Sequence, residues 1–251
     1  MTGVEGRTAL VTGAGRGIGR ATAKMLAARG ARVMGVSRGE EELASLGLDY
    51  VAADLGTLEG CALAVEATLE RLGSIDILVC NHGVGSADEK VIWEQDPESW
   101  ADTMRVNLDG PFHLSRMVLP GMVERGYGRL VFTSSTAGEI AEAAGSAYTS
   151  SKHALLGLMR SAAVDAGVYN ITSNAVLPGW VRTAMAERSA QAEASERGIS
   201  VDEIWNERAS LYPPGRVATV DEVADVIAFL ASDEASGVSG QAITVALGGL
   251  T

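Results

Sequence analysis

Cysteine and histidine are scarce in this chain, which narrows the kinds of site it can build. Its 251 residues include only two cysteines, Cys61 and Cys80, and only three histidines, His82, His113 and His153. The cysteines show no metal-ligand spacing and are too few for a disulfide framework, and the histidines are scattered along the sequence. We therefore expect no metal site and no disulfides, and a reducing cytoplasm is the expected location.

Positive charge and long apolar runs are also in short supply. Lysine and arginine number 20 against 32 aspartates and glutamates, so the formal net charge is −12. Phosphate binding needs a basic surface, so a nucleic-acid partner is not expected. No apolar run approaches the ~20 residues of a membrane span, and the first residues lack the basic-then-apolar pattern of a signal peptide. We therefore expect no membrane partner either.

Glycine and apolar residues, in contrast, are abundant. Thirty glycines and 47% hydrophobic residues fit a large core with many tight turns between strands and helices. Short apolar strands alternate with helical segments, which predicts a parallel, doubly wound α/β sheet of about seven strands. The predicted strands are residues 8–11, 32–36, 49–53, 75–80, 129–132, 171–176 and 242–245. No linker or repeat is visible, so we expect one domain over residues 1–251, with the stretch 184–212 as a helical lid over the ligand cleft.

A glycine-rich turn, residues 12–19, separates the first predicted strand from an amphipathic helical pattern at 20–29. A strand, such a turn and a helix in this order let a diphosphate approach the free N–H groups at the helix N-terminus. The predicted dinucleotide-binding residues here are Gly13, Arg16, Gly17, Ile18 and Gly19. The glycine spacing differs from the common GxGxxG, and a tight turn without a ligand is the alternative.

The second predicted strand ends where a dinucleotide fold meets the adenosine ribose. Ser37 and Arg38 stand there, in place of a carboxylate that would bind the ribose hydroxyls and repel a 2′-phosphate. Arg38 and Arg16 together favour a 2′-phosphate through charge-assisted hydrogen bonds. The prediction is therefore NADP(H), with NAD as the alternative, because one of the glutamates at 40–42 could fold back onto the ribose.

Polar residues and glycines also close the later strands. Asp54 and Leu55 follow the third strand, and the Asp54 carboxylate could accept a hydrogen bond from an adenine amino group. Asn81 and Gly83 follow the fourth strand, where Gly83 lets a ligand approach the backbone. Residues 177–183 follow the sixth strand. Ligands of such sheets bind at the carboxyl ends of the strands, so we expect these residues to line one cleft.

Tyr148 and Lys152 are four residues apart in a segment with a helical pattern, so both should lie on one helix face. Ser135 ends the preceding strand. A phenol with a pKa of about 10 transfers protons poorly near neutrality, and a neighbouring ammonium would lower that pKa. The three side chains predict acid/base chemistry on one small carbonyl or hydroxyl compound. The alternative is an ordinary helix with a tyrosine and a lysine on its surface.

Taken together, these motifs resemble those of the short-chain dehydrogenase/reductase family over essentially the whole chain. The motifs are residues 12–19, Asp54-Leu55, Asn81-His82-Gly83, Val106-Asn107-Leu108, Ser135, Tyr148 with Lys152, Pro178-Gly179 and the stretch 215–241. The resemblance implies a Rossmann-type fold, an NAD(P)-dependent oxidoreductase that interconverts a ketone and a secondary alcohol, and a homotetramer. Residues 37–41 and 248–250 are similar to bacterial aromatic-polyketide ketoreductases, which does not set the substrate.

The same resemblance implies roles for individual residues. Tyr148 is the acid/base, Ser135 hydrogen-bonds the substrate oxygen, and Lys152 lowers the pKa of Tyr148 and holds the nicotinamide ribose. Asn107 supports a water that relays protons to Lys152. The further cofactor contacts that it implies are Asp54, Leu55, Asn81, Gly83, Pro178, Gly179, Val181 and Thr183, the last two at the nicotinamide carboxamide.

The chain departs from the family pattern at two motifs and in one connection. His82 replaces the usual alanine, Ala246-Leu247 replaces the usual aspartate, and the segment after the second strand is short. Two other functions compete with NADP(H)-dependent ketone reduction. One is an NAD-dependent secondary alcohol dehydrogenase of the same fold. The other is a non-catalytic dinucleotide-binding regulatory protein, against which the intact set Asn107, Ser135, Tyr148 and Lys152 argues.

Overall fold

A parallel sheet forms the centre of the computed structural model, which describes residues 3–85 and 90–249. The predicted domain edges at residues 1 and 251 lie outside these ranges. The strands are β1 (Thr8–Thr12), β2 (Arg32–Ser37), β3 (Asp49–Ala52), β4 (Ile77–Cys80), β5 (Gly128–Thr133), β6 (Ile171–Pro178) and β7 (Ala242–Val245). Their order across the sheet is β3-β2-β1-β4-β5-β6-β7, and all pairs are parallel. The strand order reverses between β1 and β4, so the predicted doubly wound sheet is confirmed.

Helices cover both faces of this sheet. They are α1 (Gly17–Ala28), α2 (Glu40–Ala44), α3 (Leu58–Leu72), α4 (Pro97–Met104), α5 (Gly110–Arg125), α6 (Ser146–Ala166), α7 (Ala184–Arg197), α8 (Val201–Ser210) and α9 (Val220–Leu230). Alternate strand residues point to opposite faces, so Leu130 and Phe132 of β5 join a core with α3, α5 and α6. Val131 between them joins a second core with α1, α2 and α9. In the described ranges, none of the helices is both long and apolar enough to cross a membrane.

The helix ends follow from local sequence signals. Thr219 and Glu222 form a capping box at the start of α9, and Thr57 accepts a hydrogen bond from the backbone at the start of α3. Gly73 ends α3 in the left-handed conformation, with φ of 85°. Pro97 lies in the first turn of α4, where its missing N–H costs nothing. These short-range contacts fix where each strand end meets the next helix.

Some predicted boundaries are wrong. The helix predicted over residues 20–29 begins earlier, at Gly17, and the strand predicted from residue 75 begins only at Ile77. The two helices predicted around Asn107 are present as α4 and α5, but the π-helix at Arg105–Asp109 that joins them without a break is not predicted by the sequence. A π-turn adds one residue to a helical turn, which changes the direction of the side chains that follow.

The stretch predicted as a lid folds as a pair of helices, α7 and α8. They pack on each other through a third apolar cluster, made of Ala186, Ala190, Ala194, Ile204 and Trp205. Trp205 is only 2% exposed and lies inside this cluster, so it packs the helix pair and does not face a ligand cleft. The role of the pair as a lid stays a prediction.

Candidate active site

Ser135 and Tyr148 meet at the carboxyl end of the sheet. Ser135 follows β5 in extended conformation, and its hydroxyl oxygen accepts a hydrogen bond from the backbone N–H of Ala137 at 3.1 Å. Burial raises the pKa of Tyr148 to about 12, a hydrogen bond from Ser135 works in the opposite direction, and the Glu142 carboxylate adds to the rise. The phenol is therefore protonated at neutral pH and is hydrogen-bonded to a serine that can donate to its oxygen.

Lys152 lies one turn further along α6, as its spacing predicts, but its amino group is used differently. Its Nζ donates to the backbone carbonyl of Thr133 at 3.0 Å and is 5.5 Å from the centre of the Tyr148 ring. Burial lowers the pKa of Lys152 to about 8. The expectation that Lys152 brings the pKa of Tyr148 below 10 is therefore wrong for this geometry, because burial of the phenol dominates and Ser135 supplies the opposing contribution.

Asn107 lies in the π-helix and holds the loop that follows β4. Its Oδ1 accepts from the backbone N–H of Val84 at 2.8 Å, and its Nδ2 donates to the Val84 carbonyl at 2.9 Å and to the Ser151 hydroxyl at 3.0 Å. A methyl group on Gly83 would lie 3.1 Å from Oδ1 of Asn107 and 3.5 Å from Nζ of Lys152. The Asn107 side chain therefore connects this loop to α6, and its support of a relay water stays a prediction.

Thr12, at the end of β1, joins the glycine-rich turn to the end of β4. Its hydroxyl donates to the Val79 carbonyl at 3.1 Å and accepts from the backbone N–H groups of Asn81 and His82 at 2.8 and 3.1 Å. Nδ1 of His82 is 2.8 Å from the same oxygen. Burial lowers the pKa of His82 to about 3, so this unusual residue is a neutral packing group.

The glycines of the turn are required by close packing. A methyl group on Gly13 would lie 2.8 Å from Nδ2 of Asn81, and one on Gly19 would collide with the Gly13 carbonyl. Arg16 precedes α1 in extended conformation and gives that helix no side-chain cap. The first N–H groups of α1 therefore face the turn without a side-chain cap, which suits a diphosphate. Ile18, the remaining predicted contact here, packs partly into the second core.

The end of β2 presents two guanidinium groups. Arg16 and Arg38 are both exposed, and in the described part of the chain neither guanidinium takes part in a hydrogen bond or ion pair. A methyl group on Gly15 would lie 2.8 Å from Oγ of Ser37, so Ser37 borders the turn. Asp54 accepts from the backbone N–H of Gly56 at 3.0 Å through one carboxylate oxygen. Two arginines and a serine at one corner of the cleft suit a 2′-phosphate.

The segment after β6 closes the other side of the cleft. Thr183 caps α7 through the N–H of Ala186, and a methyl group on Gly17 would lie 3.3 Å from the Thr183 methyl carbon. Val181 is buried and pairs with Ala218 in an isolated bridge. Thr183 therefore lies beside the glycine-rich turn, whereas Val181 anchors the segment below it.

Tyr212 supports the turn at the end of β6, where Pro178 is the last strand residue. Its phenol oxygen accepts from the backbone N–H of Trp180 at 2.7 Å, and a methyl group on Gly179 would lie 2.5 Å from that oxygen. Gly249 is close enough that a side chain on it would collide with the Tyr212 ring. The segment 246–249 after β7, where Leu247 takes a φ of 52°, therefore packs on Tyr212 without an aspartate.

Most predicted site residues thus lie along one edge of the sheet. The side chain of Leu55 points away from the cleft. Leu55 is buried in the first core, so only its backbone is available to a ligand. The sequence does not reveal the partners that hold the site: Thr12, Thr133, Ser151 and Tyr212. Thr12 and Thr133 end strands, which is a signal that could have found them, whereas the contact made by Tyr212 depends on tertiary packing alone.

Comparison with known proteins gives consistent matches over almost the full length. Residues 13–251 match the family model described as Enoyl-(Acyl carrier protein) reductase. The chain is 34% identical to a D-beta-hydroxybutyrate dehydrogenase of Cupriavidus necator, over 94% of this chain and 95% of that protein. It is also 34% identical to a 3-oxoacyl-[acyl-carrier-protein] reductase of Escherichia coli, over 96% of both. The solved structure of an actinorhodin polyketide ketoreductase with NADPH superposes with a TM-score of 0.90 at 33% identity, covering 100% of both chains.

Proposed function

Because this chain belongs to the short-chain dehydrogenase/reductase family and is an NAD(P)-dependent oxidoreductase of ketones and secondary alcohols, we propose that it reduces a ketone on an acyl chain with NADPH. The acyl chain is suggested by the relatives whose names specify 3-oxoacyl or polyketide substrates. The observation that carries the proposal is the hydrogen-bonded pair of Ser135 and Tyr148, which can act on one carbonyl oxygen. Because burial raises the pKa of Tyr148 to about 12, the phenol holds at neutral pH the proton that reduction requires, although it is a weaker acid than a free tyrosine.

The residues then act in the following order. The Tyr148 hydroxyl gives its proton to the carbonyl oxygen of the ketone, and the Ser135 hydroxyl hydrogen-bonds the charge that develops there. The phenolate that remains is stabilised by the hydrogen bond from Ser135. Lys152, whose pKa burial lowers to about 8, exchanges protons near neutrality and can return one to Tyr148. Asn107 positions this lysine indirectly, through Ser151 on the same helix.

The chain offers groups for each part of the cofactor, which supplies the hydride when bound. The glycines of residues 12–19 and the uncapped start of α1 suit the diphosphate. We assign Arg16, Arg38 and Ser37 to the 2′-phosphate, Asp54 with the Leu55 backbone to the adenine, and Asn81 with Gly83 to the nucleoside beside β4. Lys152 and Tyr148 are assigned to the nicotinamide ribose. Pro178, Gly179, Val181 and Thr183 form the wall at the nicotinamide.

The test compares the wild-type protein with Tyr148→Phe in two assays. Loss of absorbance at the reduced-nicotinamide band reports turnover of neutral 3-ketoacyl thioesters and simple ketones, and calorimetry reports NADPH binding. The variant should lose at least about a thousandfold in kcat while keeping its affinity for NADPH within a fewfold, because only the proton donor is removed. Activity of Tyr148→Phe within tenfold of wild type would exclude the assigned role.

We also propose a cytoplasmic homotetramer. The two free cysteines, Cys61 and Cys80, are buried, which suits a reducing compartment. Apolar side chains on the outer faces of the helices suit subunit contacts, notably Phe112 of α5 at 45% exposed and Val164 of α6 at 79% exposed. Light scattering on the purified chain should give four times the monomer mass of 26.0 kDa, and a monomer at micromolar concentration would contradict the assembly.

A further inference from the structure

Glu42 of α2 lies beside the corner of the cleft that we assign to the 2′-phosphate. A methyl group on Gly15 would be 3.3 Å from Cβ of Glu42 and 2.8 Å from Oγ of Ser37, so both side chains border the glycine-rich turn. The Glu42 carboxylate lies against Gly39, where it occupies the space that a side chain would need. Gly39 has φ of −85°, which any residue can adopt. A glycine is needed there because of the contact with Glu42 and not because of the backbone conformation.

Arg20 holds Glu42 in this place. Its guanidinium donates to the carbonyl oxygens of Gly15 at 3.4 Å, Glu42 at 2.9 Å and Ser45 at 2.7 Å, so it ties α2 to the glycine-rich turn. The Ser45 hydroxyl adds a second hydrogen bond to the Glu42 carbonyl, at 2.7 Å. A helix of five residues has little rigidity of its own, and these bonds supply it. The backbone of Glu42 is therefore held at the corner, from which its exposed side chain extends.

The guanidinium nearest to Glu42, that of Arg20, donates to backbone carbonyls and not to the carboxylate. Among the described residues the Glu42 carboxylate takes part in no ion pair, and the guanidiniums of Arg16 and Arg38 are likewise without one. A carboxylate repels the dianionic 2′-phosphate of NADPH, but it accepts a hydrogen bond from the 2′-hydroxyl of NADH. The Glu42 carboxylate therefore weakens the binding of NADPH and strengthens the binding of NADH.

We infer that Glu42 is a cofactor-selectivity residue that narrows the preference for NADPH which Arg16 and Arg38 create, so that the enzyme also accepts NADH. This inference rests on the proposed dinucleotide site, and it gives a physical reason for the two cofactor choices that the sequence leaves open. Removing the negative charge without changing the shape of the side chain should increase the preference for NADPH over NADH by about tenfold. This is the effect expected of one screened like-charge contact near a surface.

The experiment measures dissociation constants for NADP+ and NAD+ by calorimetry on the wild-type chain, on Glu42→Gln and on Glu41→Gln. Glu41 is the matched control because it is an exposed glutamate on the same short helix. In Glu42→Gln the ratio of the NAD+ to the NADP+ constant should rise about tenfold, and less so in 0.5 M salt, where charges are screened. In Glu41→Gln it should stay within twofold of wild type.

Two results would overturn the inference. One is a ratio in Glu42→Gln that stays within twofold of wild type, and the other is an equal shift in Glu41→Gln, which would reflect net charge alone. Both readouts need only nucleotide binding, so they are independent of any substrate. If the wild-type chain binds neither nucleotide, the proposed function fails as well, whereas normal NADP+ binding with an unchanged ratio would refute only the role of Glu42.

Discussion

Among single residues, Lys152 shows most directly how burial sets the chemistry of this site. It is 4% exposed, and burial brings its pKa from 10.5 to about 8. Between these two values the unfolded chain binds more protons than the folded one, so this lysine makes folding more favourable as the pH rises. The buried phenol of Tyr148 acts in the opposite sense only above pH 10, because its pKa is raised from 10.0 to about 12.

We therefore predict that Lys152→Met changes the pH dependence of stability. The free energy of unfolding of wild type, relative to Lys152→Met, should rise by about 2 kcal/mol from pH 7 to pH 9.5 as the penalty for the buried ammonium is relieved. Urea titrations at the two pH values give this difference, in which the packing change of the variant cancels. Lys24→Met, at an exposed lysine of α1, is the control, and a rise of similar size there would remove Lys152 as the cause.

At this scale the sequence predicts which residues carry the chemistry but not their protonation. Spacing alone places Tyr148 and Lys152 on one helix face, and the structure keeps them there. The predicted direction of the pKa change of Tyr148 is wrong, because a pattern shows the nearby charge and not the depth of burial. His82 shows the same limit, since only the fold reveals that its ring is buried against Thr12.

Among the elements, the α7–α8 pair depends on one buried guanidinium. Arg208 is 5% exposed, stacks 3.7 Å from the centre of the Trp180 ring, and donates to the Ala186 carbonyl at 3.1 Å. It also donates to the Ser189 hydroxyl at 3.1 Å and to the Glu193 carboxylate at 2.9 Å. A planar group with several donors makes all these contacts at once, which an ammonium group cannot.

We predict that Arg208→Lys loosens this helix pair while the sheet stays intact. Loss of the stacking and of the forked hydrogen bonds should cost about 2 kcal/mol locally. Hydrogen exchange read by mass spectrometry should therefore speed up over residues 184–210 and stay unchanged in β4 and β5. Arg188→Lys, at an exposed position of α7, should leave the exchange as in wild type, and faster exchange spread over the sheet would contradict a local role.

Sequence signals predict regular elements well and irregular ones poorly. The capping box of Thr219 and Glu222 is visible in the amino-acid order itself and marks the start of α9. The π-helix at Arg105–Asp109 leaves no such mark, because it reflects the packing of Asn107 against Val84 and Ser151 rather than a local preference. The π-helix carries Asn107, a predicted site residue, and its shape could not be predicted from the sequence.

Across the whole molecule, the carboxyl and amino ends of the strands carry different groups of residues. The predicted site residues lie at the carboxyl ends of the strands, whereas the amino ends carry a cluster formed by Arg7, Tyr127, Arg129 and Asp233. The Tyr127 ring lies between the two guanidiniums, 3.6 Å from that of Arg7 and 4.4 Å from that of Arg129, and its hydroxyl donates to Asp233 at 2.8 Å. Sequence patterns do not reveal this cluster, because its members are up to 226 positions apart.

Arg129 is the centre of that cluster. We expect it to contribute to the stability of the fold and not to catalysis. Its side chain is 2% exposed, and it donates to the carbonyls of Gly128 at 2.9 Å, Asn170 at 3.2 Å and Ser232 at 3.2 Å, besides an ion pair with Asp233. Arg129→Met removes the donor to these three carbonyls and an ion-pair partner of Asp233, so we predict a loss of about 3 kcal/mol in the free energy of unfolding.

The kcat of folded Arg129→Met should stay within twofold of wild type, because the cluster and the Ser135–Tyr148 pair lie at opposite edges of the sheet. Arg7→Met is the control: its side chain is 34% exposed, so its ion pair with Asp233 should contribute less than about 1 kcal/mol. Urea unfolding and steady-state kinetics on both variants provide the two measurements. A kcat that falls in parallel with stability would mean that the amino edge also shapes the site, and the separation of the two edges would then be wrong.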